Sequence, residues 1–186
     1  PWVRPGPVRM SLTVLDPGLC SLLGDHGRQG ARHLGVPVGG AADRAALALG
    51  NALVGNPPDA LALEVTLAGP TLRADTRTWA AVFGAPFTLT VRGRGPVEPG
   101  GTFTLEPGDV LKVGGTPAGC RAYLCVGGGF TAPAVLGSRS GLDRVRPGDV
   151  LTCGESRGPG RRLPFAACDP VADEVELRAL DGPQRD

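Results

Sequence analysis

The sequence predicts a mainly β domain, a closed or nearly closed barrel with one or two short helices, and three observations lead there. Apolar runs are short and several alternate strictly with polar residues, as half-buried strands do. Thirty Gly and nineteen Pro among 186 residues punctuate those runs without clustering, the pattern of many short elements joined by tight turns. Only one segment, Asp43–Val54, carries a convincing helical signature near the start of the chain. Numerous short strands with a single early helix favour a barrel, with a two-sheet sandwich as the alternative.

The first strand is Met10–Leu15, closed by the turn Asp16-Pro17-Gly18. Gly24 to Gly40 holds six glycines and little periodicity, so it reads as a structured loop. Asp43 is placed to cap the helix that follows, Leu47, Asn51 and Val54 share one face, and Gly55 provides the stop. Gly50 lowers the intrinsic stability of that helix, so packing has to hold it. From Ala60 the pattern alternates: Leu61, Leu63, Val65 and Leu67 point one way, Ala62, Glu64 and Thr66 the other. Phe87, Leu89 and Val91 repeat it. Further strands are expected at Thr78–Phe83, Thr102–Leu105, Val110–Val113, Arg121–Val126, Val150–Thr152 and Val175–Leu180. Pro107-Gly108-Asp109-Val110-Leu111 recurs as Pro147-Gly148-Asp149-Val150-Leu151, each a turn feeding an apolar strand. Residues 1–9 read as an extension ahead of one domain.

Composition excludes several function classes. Nineteen basic and eighteen acidic residues give a net charge of +1, and Lys112 is the one lysine. No one-sided basic face of the kind nucleic acid requires is visible. Five cysteines, without a C-x-x-C pair, fit reduced thiols better than a disulfide framework. No apolar run approaches a membrane span, and Pro1–Arg9 lacks the apolar stretch of a signal peptide. The expected location is the cytoplasm. His26 and His33 have no acidic or Cys partner at metal-ligand spacing, so no metal is expected.

Candidate chemistry gathers between Asp25 and Glu64. In Asp25-His26-Gly27-Arg28-Gln29-Gly30, Arg28 suits a carboxylate or phosphate through two parallel hydrogen bonds, with Asp25 orienting it. The structural alternative is an Asp–Arg pair that pins a loop. Asp43 is a helix cap or a catalytic acid, at a helix N-terminus whose N–H groups attract anions. Asn51, an amide inside a short Ala-rich helix, needs a specific partner if buried. Glu64 either meets solvent or faces an interior or cleft. Gly127-Gly128-Gly129-Phe130 allows close backbone approach, and Ser138-Arg139-Ser140 offers donors to an anion. Neither is a P-loop or a dinucleotide fingerprint.

These segments occur in a specific order. Asp25-His26-Gly27-Arg28-Gln29-Gly30 is followed by Gly35-Val36-Pro37-Val38-Gly39-Gly40-Ala41-Ala42-Asp43, Asn51-Ala52-Leu53-Val54-Gly55-Asn56 and Leu63-Glu64-Val65-Thr66-Leu67-Ala68-Gly69-Pro70. Gly84-Ala85, Gly127-Gly128-Gly129-Phe130 and Leu136-Gly137-Ser138-Arg139-Ser140 complete the series. The series resembles the carboxyltransferase-domain family, which includes the C-type subunit of 5-oxoprolinase, allophanate hydrolase subunit 2 and the carboxyltransferase part of urea carboxylase. The resemblance runs from about residue 12 to the end, and it implies that 10–172 is the family's first half and 173–186 the start of a truncated second half. It departs from the family at Gly24 and Ala42, where Gln and Met are usual, and in a short loop after Ser140.

The resemblance implies a cyclophilin-like β-barrel that works with a B-type subunit and, in bacterial 5-oxoprolinase, an A-type subunit. It implies a small-molecule substrate, 5-oxoproline opened to glutamate with ATP used in the assembled complex. The alternative it implies is biotin-dependent carboxyl transfer, and a third reading is a truncated, non-catalytic relative that regulates a B-type partner. On the first reading Asp25, Arg28, Gly30, Ser138, Arg139 and Ser140 form the substrate or anion site. Asp43 and Glu64 then orient groups or exchange protons, and Asn51 hydrogen-bonds the carbonyl.

Overall fold

The computed structural model describes residues 10–98, 100–155, 161 and 176. In chain order the strands are β1 (Met10–Asp16), β2 (Cys20–Gly24), β3 (Ala62–Thr66), β4 (Thr71–Ala74), β5 (Thr78–Gly84) and β6 (Leu89–Val91). They continue as β7 (Gly95–Pro96), β8 (Thr102–Leu105), β9 (Val110–Val113), β10 (Arg121–Val126) and β11 (Val150–Cys153). The helix α1 (Arg44–Leu53) and a 3-10 turn at Arg32–Leu34 lie between β2 and β3. The expected strand at Val175–Leu180, the extension at 1–9 and the boundary after residue 172 lie outside the described residues.

Two antiparallel sheets result, in the orders β11-β1-β4-β9-β6-β7 and β2-β3-β10-β5-β8. They stack face to face, and the ladder does not close into a barrel. Loops, not strands of the other sheet, take up the outer edges, which removes the need for closure. On β2, the carbonyls of Leu23 and Ser21 accept from Gly141 N and Val145 N, each at 3.0 Å. On β11, the Thr152 carbonyl accepts from Thr131 N at 2.8 Å.

Alternation along the strands divides the apolar residues into two clusters. Between the sheets lie Leu12, Val14, Leu63, Val65, Leu72, Leu111, Leu124 and Val126, all essentially inaccessible. The opposite face of β10 and β5 presents Tyr123, Cys125 and Ala81 to Ala46, Leu47, Leu53 and Val54 at the helix. The second sheet is therefore buried on both faces, and α1 is its outer cover.

Asp43 caps α1 as its sequence position predicts, with extended backbone and its side chain accepting from Ala46 N at 2.9 Å. Gly55 follows the last turn at φ 77°. Gly50 is where the helix comes closest to the sheet: a Cβ there would lie 2.8 Å from Cys125 Sγ and 3.2 Å from Phe83 Cβ. Packing holds this glycine because only a glycine lets the helix dock.

Three differences from the sequence reading have physical causes. The alternation starting at Ala60 continues past the strand's end, because Leu67 turns to φ 60° and is exposed. Of that run, Ala62–Thr66 forms β3, with both faces buried. The strand expected from Phe87 is shorter, β6 covering Leu89–Val91, with Phe87 buried outside the ladder. Strands β2 and β4 were not expected from the sequence; Cys-Ser-Leu-Leu-Gly does not alternate, and Thr-Leu-Arg-Ala carries one large apolar residue.

The Pro-Gly-Asp echo is a repeat of tertiary structure. Gly108 N donates to Ala74 O and Ala74 N to Asp109 O, at 2.7 and 2.8 Å. Gly148 N donates to Val14 O and Val14 N to Asp149 O, at 2.8 and 2.9 Å. Each turn then launches a strand antiparallel to the one it grips, β9 on β4 and β11 on β1.

Gly50→Ala is expected to destabilise the domain by about 1–3 kcal/mol through overpacking, although alanine is the better helix former by roughly 1 kcal/mol. Urea denaturation reads the change. In a Cys125→Ala background the same substitution is expected to cost less, and an equal cost would remove the close-approach explanation.

Candidate functional site

The site is organised by the Asp25 carboxylate. Oδ1 accepts from Gly27 N at 2.7 Å, Ser138 Oγ at 2.7 Å and Ser140 Oγ at 2.5 Å. Oδ2 accepts from Arg139 N at 2.6 Å. Ser140 Oγ also accepts from Asp25 N, and Ser140 N donates to Ser138 Oγ. Partial burial opposes ionisation of Asp25, but these donors outweigh it and hold the carboxyl below its usual value. The local sequence makes the knot possible. Asp25 bonds to the N–H two residues on, an Asx turn. Gly27 has φ 80° and a Cβ there would collide with the carbonyls of Val38 and Gly39. The segment can therefore clasp 38–41, through Arg28 N to Val38 O at 2.7 Å and Ala41 N to Asp25 O at 2.8 Å.

From the clasp the chain runs into α1, where a second polar group is assembled. Ala42 N donates to Glu64 Oε2 at 2.9 Å, and Asp43 N donates to Tyr123 OH at 2.7 Å. The phenol in turn donates to Glu64 Oε2 at 2.8 Å. Glu64 Oε1 pairs with Arg121 Nε at 3.2 Å. Tyr123 is inaccessible and Glu64 nearly so. Burial first, then the neighbouring Glu64 carboxylate, push the Tyr123 hydroxyl above its normal range against the opposing pull of Asp43 N–H. It stays protonated and remains a donor. The anion at the start of α1 is thus a carboxylate of the protein itself.

A cleft of about 580 Å³ opens beside the Asp25 knot, within the range of small-molecule sites. Its walls include Arg28, Arg139 and Ser140, with Leu23, Val135 and Leu142 as apolar lining and Asp149 at the foot of β11. Arg28 Nη2 donates to Ser140 O at 2.7 Å, which orients the guanidinium; its other N–H groups have no partner among the described residues. Arg139 has its backbone fixed by Asp25 and no ion pair among the described residues. Ser138 sits at the end of a two-residue hairpin turn, Val135 N to Ser138 O at 2.7 Å, with Leu136 at φ 51° and Gly137 at φ 79°.

The structure therefore brings together Asp25, Arg28, Ser138, Arg139 and Ser140, from two segments more than a hundred residues apart. Asp25 does not orient Arg28 directly; it grips the 138–140 loop, and that loop holds Arg28. Gly30 lies on an exposed turn at φ 78°, its carbonyl 2.8 Å from His33 Nδ1, and does not line the cleft. Asp43, Asn51 and Glu64 do not line it either. Asn51 is fully buried. Its amide donates to Ala60 O at 2.8 Å and its Oδ1 accepts from Asn56 Nδ2 at 3.1 Å, so it ties helix to turn. The Gly128 and Gly129 backbone packs on Gly154, Glu155 and Ala60.

Sequence reasoning missed Tyr123, Arg121 and Asp149. Tyr123 lies opposite Glu64 in the β10–β3 register, a pairing invisible without the sheet. Asp149 carried a signal in the repeated turn. Among the described residues no three His, Cys, Asp or Glu side chains are grouped to hold a metal, and no helix is long and apolar enough to cross a membrane.

Comparison with known proteins adds a family. The carboxyltransferase domain, subdomain A and B, matches residues 34–186. The chain is 32% identical over 183 residues to the C-type subunit of 5-oxoprolinase from Escherichia coli strain K12, covering 93% of this chain and 58% of that protein. It is 34% identical over 175 residues to urea amidolyase of Lachancea kluyveri, covering 88% of this chain and 10% of that protein. The crystal structure of TTHA0988 superposes with a TM-score of 0.86 at 34% identity, covering 98% of this chain and 38% of that one. The chain thus spans little more than half of the 5-oxoprolinase relative and a tenth of the amidolyase.

Two outcomes test the geometry. Because the folded carboxyl is depressed, the contribution of Asp25 is fully present above its ordinary value of 3.8 and is lost as pH falls through the folded value. Asp25→Asn is expected to be less stable at neutral pH and to lose less on acidification below that point, as read by denaturant midpoints against pH. Asp75, also depressed, retains the remaining slope. Tyr123→Phe leaves Asp43 N–H without its acceptor and is expected to cost roughly 1–3 kcal/mol in unfolding free energy.

Proposed function

The chain belongs to the carboxyltransferase-domain family, and on that footing we propose that it is a C-type component of an ATP-dependent 5-oxoprolinase, converting 5-oxoproline to glutamate with A- and B-type subunits. The observation that carries this reading is the cleft, where Arg28 and Arg139 flank a wall fixed by the Asp25 knot. Two guanidinium groups without carboxylate partners among the described residues suit a small carboxylate substrate. The guanidinium of Arg28, oriented by Ser140 O, and that of Arg139 also stabilise negative charge as it develops on a reacting carbonyl. Asp43 and Glu64 act as positioning residues, since they fix segment 41–43 and through it the clasp. The chain has no phosphate-binding loop motif, so ATP is handled by the assembly. The two-sheet stack is read as an open form of the cyclophilin-like barrel, and the working compartment is the cytoplasm.

Similarity to urea amidolyase supports a second reading, transfer of a carboxyl group from carboxybiotin to an amide-like nitrogen. On this reading the same arginines bind the transferred carboxylate. Retention of a carboxybiotin analogue that is lost on Arg28→Ala would favour it.

The deciding experiment combines the chain with its cognate A- and B-type subunits and measures 5-oxoproline-dependent ATP hydrolysis. Turnover is expected, and Arg28→Ala is expected to lower kcat/KM by roughly ten- to a hundred-fold, the loss of a charge-assisted hydrogen bond. No turnover, in conditions where a full-length relative is active, rejects the 5-oxoprolinase reading. A stable complex without turnover then points to a regulatory relative.

A further inference from the structure

The repeated Pro-Gly-Asp turn provides a comparison within one molecule. In both copies the aspartate accepts from the backbone N–H three residues earlier: Glu106 N to Asp109 Oδ2 at 2.9 Å, and Arg146 N to Asp149 Oδ2 at 2.8 Å. Both copies are clamped on the neighbouring strand by the same pair of backbone hydrogen bonds. Their surroundings differ. Arg94 Nη1 pairs with Asp109 Oδ2 at 2.5 Å, which neutralises that carboxylate. Asp149 has no cationic partner among the described residues, and it lines the cleft that holds Arg28 and Arg139.

We propose that Asp149 is a specificity residue of the cleft, which selects ligands carrying both a carboxylate and an N–H donor: the carboxylate meets Arg28 and Arg139, and the N–H meets Asp149. Turn geometry alone accounts for one oxygen of Asp149. The other has no donor among the described residues and stands on a backbone fixed from two sides, so little ordering is needed when a donor arrives. Asp143 lines the same cleft, but it has no side-chain hydrogen bond holding it among the described residues. A carboxylate beside two arginines also rejects simple dianions, because it repels a second negative charge. Arg144, which also lines the cleft, adds to the attraction for the ligand's anionic end and has no acceptor for its N–H. The inference rests on the reading of the cleft as the substrate site, and a lactam amino acid has the two groups it requires.

The test uses isothermal titration calorimetry on the full chain with two probes, 5-oxoproline and its lactone counterpart, 5-oxotetrahydrofuran-2-carboxylate. These differ in having an N–H or a ring oxygen at one position. The wild type is expected to prefer the lactam by about ten-fold or more, the scale of a hydrogen bond to a charged group. Asp149→Ser keeps an acceptor for Arg146 N–H while removing the carboxylate, and it is expected to bind both probes alike. Asp109→Ser, which alters the other copy of the turn, is expected to leave the preference intact; thermal unfolding of both variants confirms their fold. Equal affinity of the wild type for the two probes, or an unchanged preference in Asp149→Ser, overturns the role of Asp149 alone. Binding of neither probe overturns the cleft as the substrate site.

Discussion

Three consecutive backbone N–H groups hold this domain's polar architecture together. Ala41 donates to the Asp25 carbonyl, Ala42 to Glu64, and Asp43 to Tyr123. The acceptors belong to three separate regions: the glycine-rich loop, the strand β3 and the strand β10. One short stretch of extended chain thereby fixes where α1 begins, what lies beneath it, and how the loop carrying Arg28 is aimed. Buried N–H groups need acceptors, and here that need is met by groups which themselves require donors. Removing Glu64 or Tyr123 leaves a partly buried donor without its acceptor, so the arrangement is cooperative.

The same logic divides the charged groups into two populations. Asp25, Asp43 and Glu64 are carboxylates satisfied from within, by backbone N–H, hydroxyl and guanidinium donors. Their negative charge is consumed in building the frame. Arg28 and Arg139 are aimed by backbone contacts to that frame, not neutralised by it. The cleft therefore carries guanidinium groups, from Arg28 and Arg139, beside the carboxylates of Asp143 and Asp149. The half-buried Arg28 and the exposed Arg139 thus stand on a hydrogen-bonded support, and a site is only as well positioned as the shell behind it.

The sheets determine where this frame can stand. Since α1 covers the outer face of the second sheet, Glu64 and Tyr123 can be buried there without entering the apolar layer between the sheets. Since the 141–145 segment takes up the edge of β2, Ser138, Arg139 and Ser140 are delivered beside Asp25. A closed barrel would have put a strand where that loop runs. The unclosed edge and the site are therefore the same feature seen from two directions. Leu136, with its positive φ, shows local backbone preference yielding to this placement.

Much of the fold was legible in the sequence, because its signals are local. Asp43 and Gly55 bracket the helix through capping chemistry that depends on a few neighbouring residues, and alternation at Thr78–Phe83 and Arg121–Val126 reports which side chains leave the same face. The two polar loops that meet at the cleft, Asp25–Arg28 and Ser138–Ser140, were recognisable by residue type. Their union was not, because a hydrogen bond spanning 113 residues leaves no trace in local periodicity. Asn51 and Glu64 could not be assigned either, since a polar residue on a helix or strand looks the same whether its partner is a ligand, water or another part of the chain. Only the tertiary structure, by placing Ala60 beside Asn51 and Tyr123 beside Glu64, decided that these two side chains build the frame while the arginines are left to face the cleft.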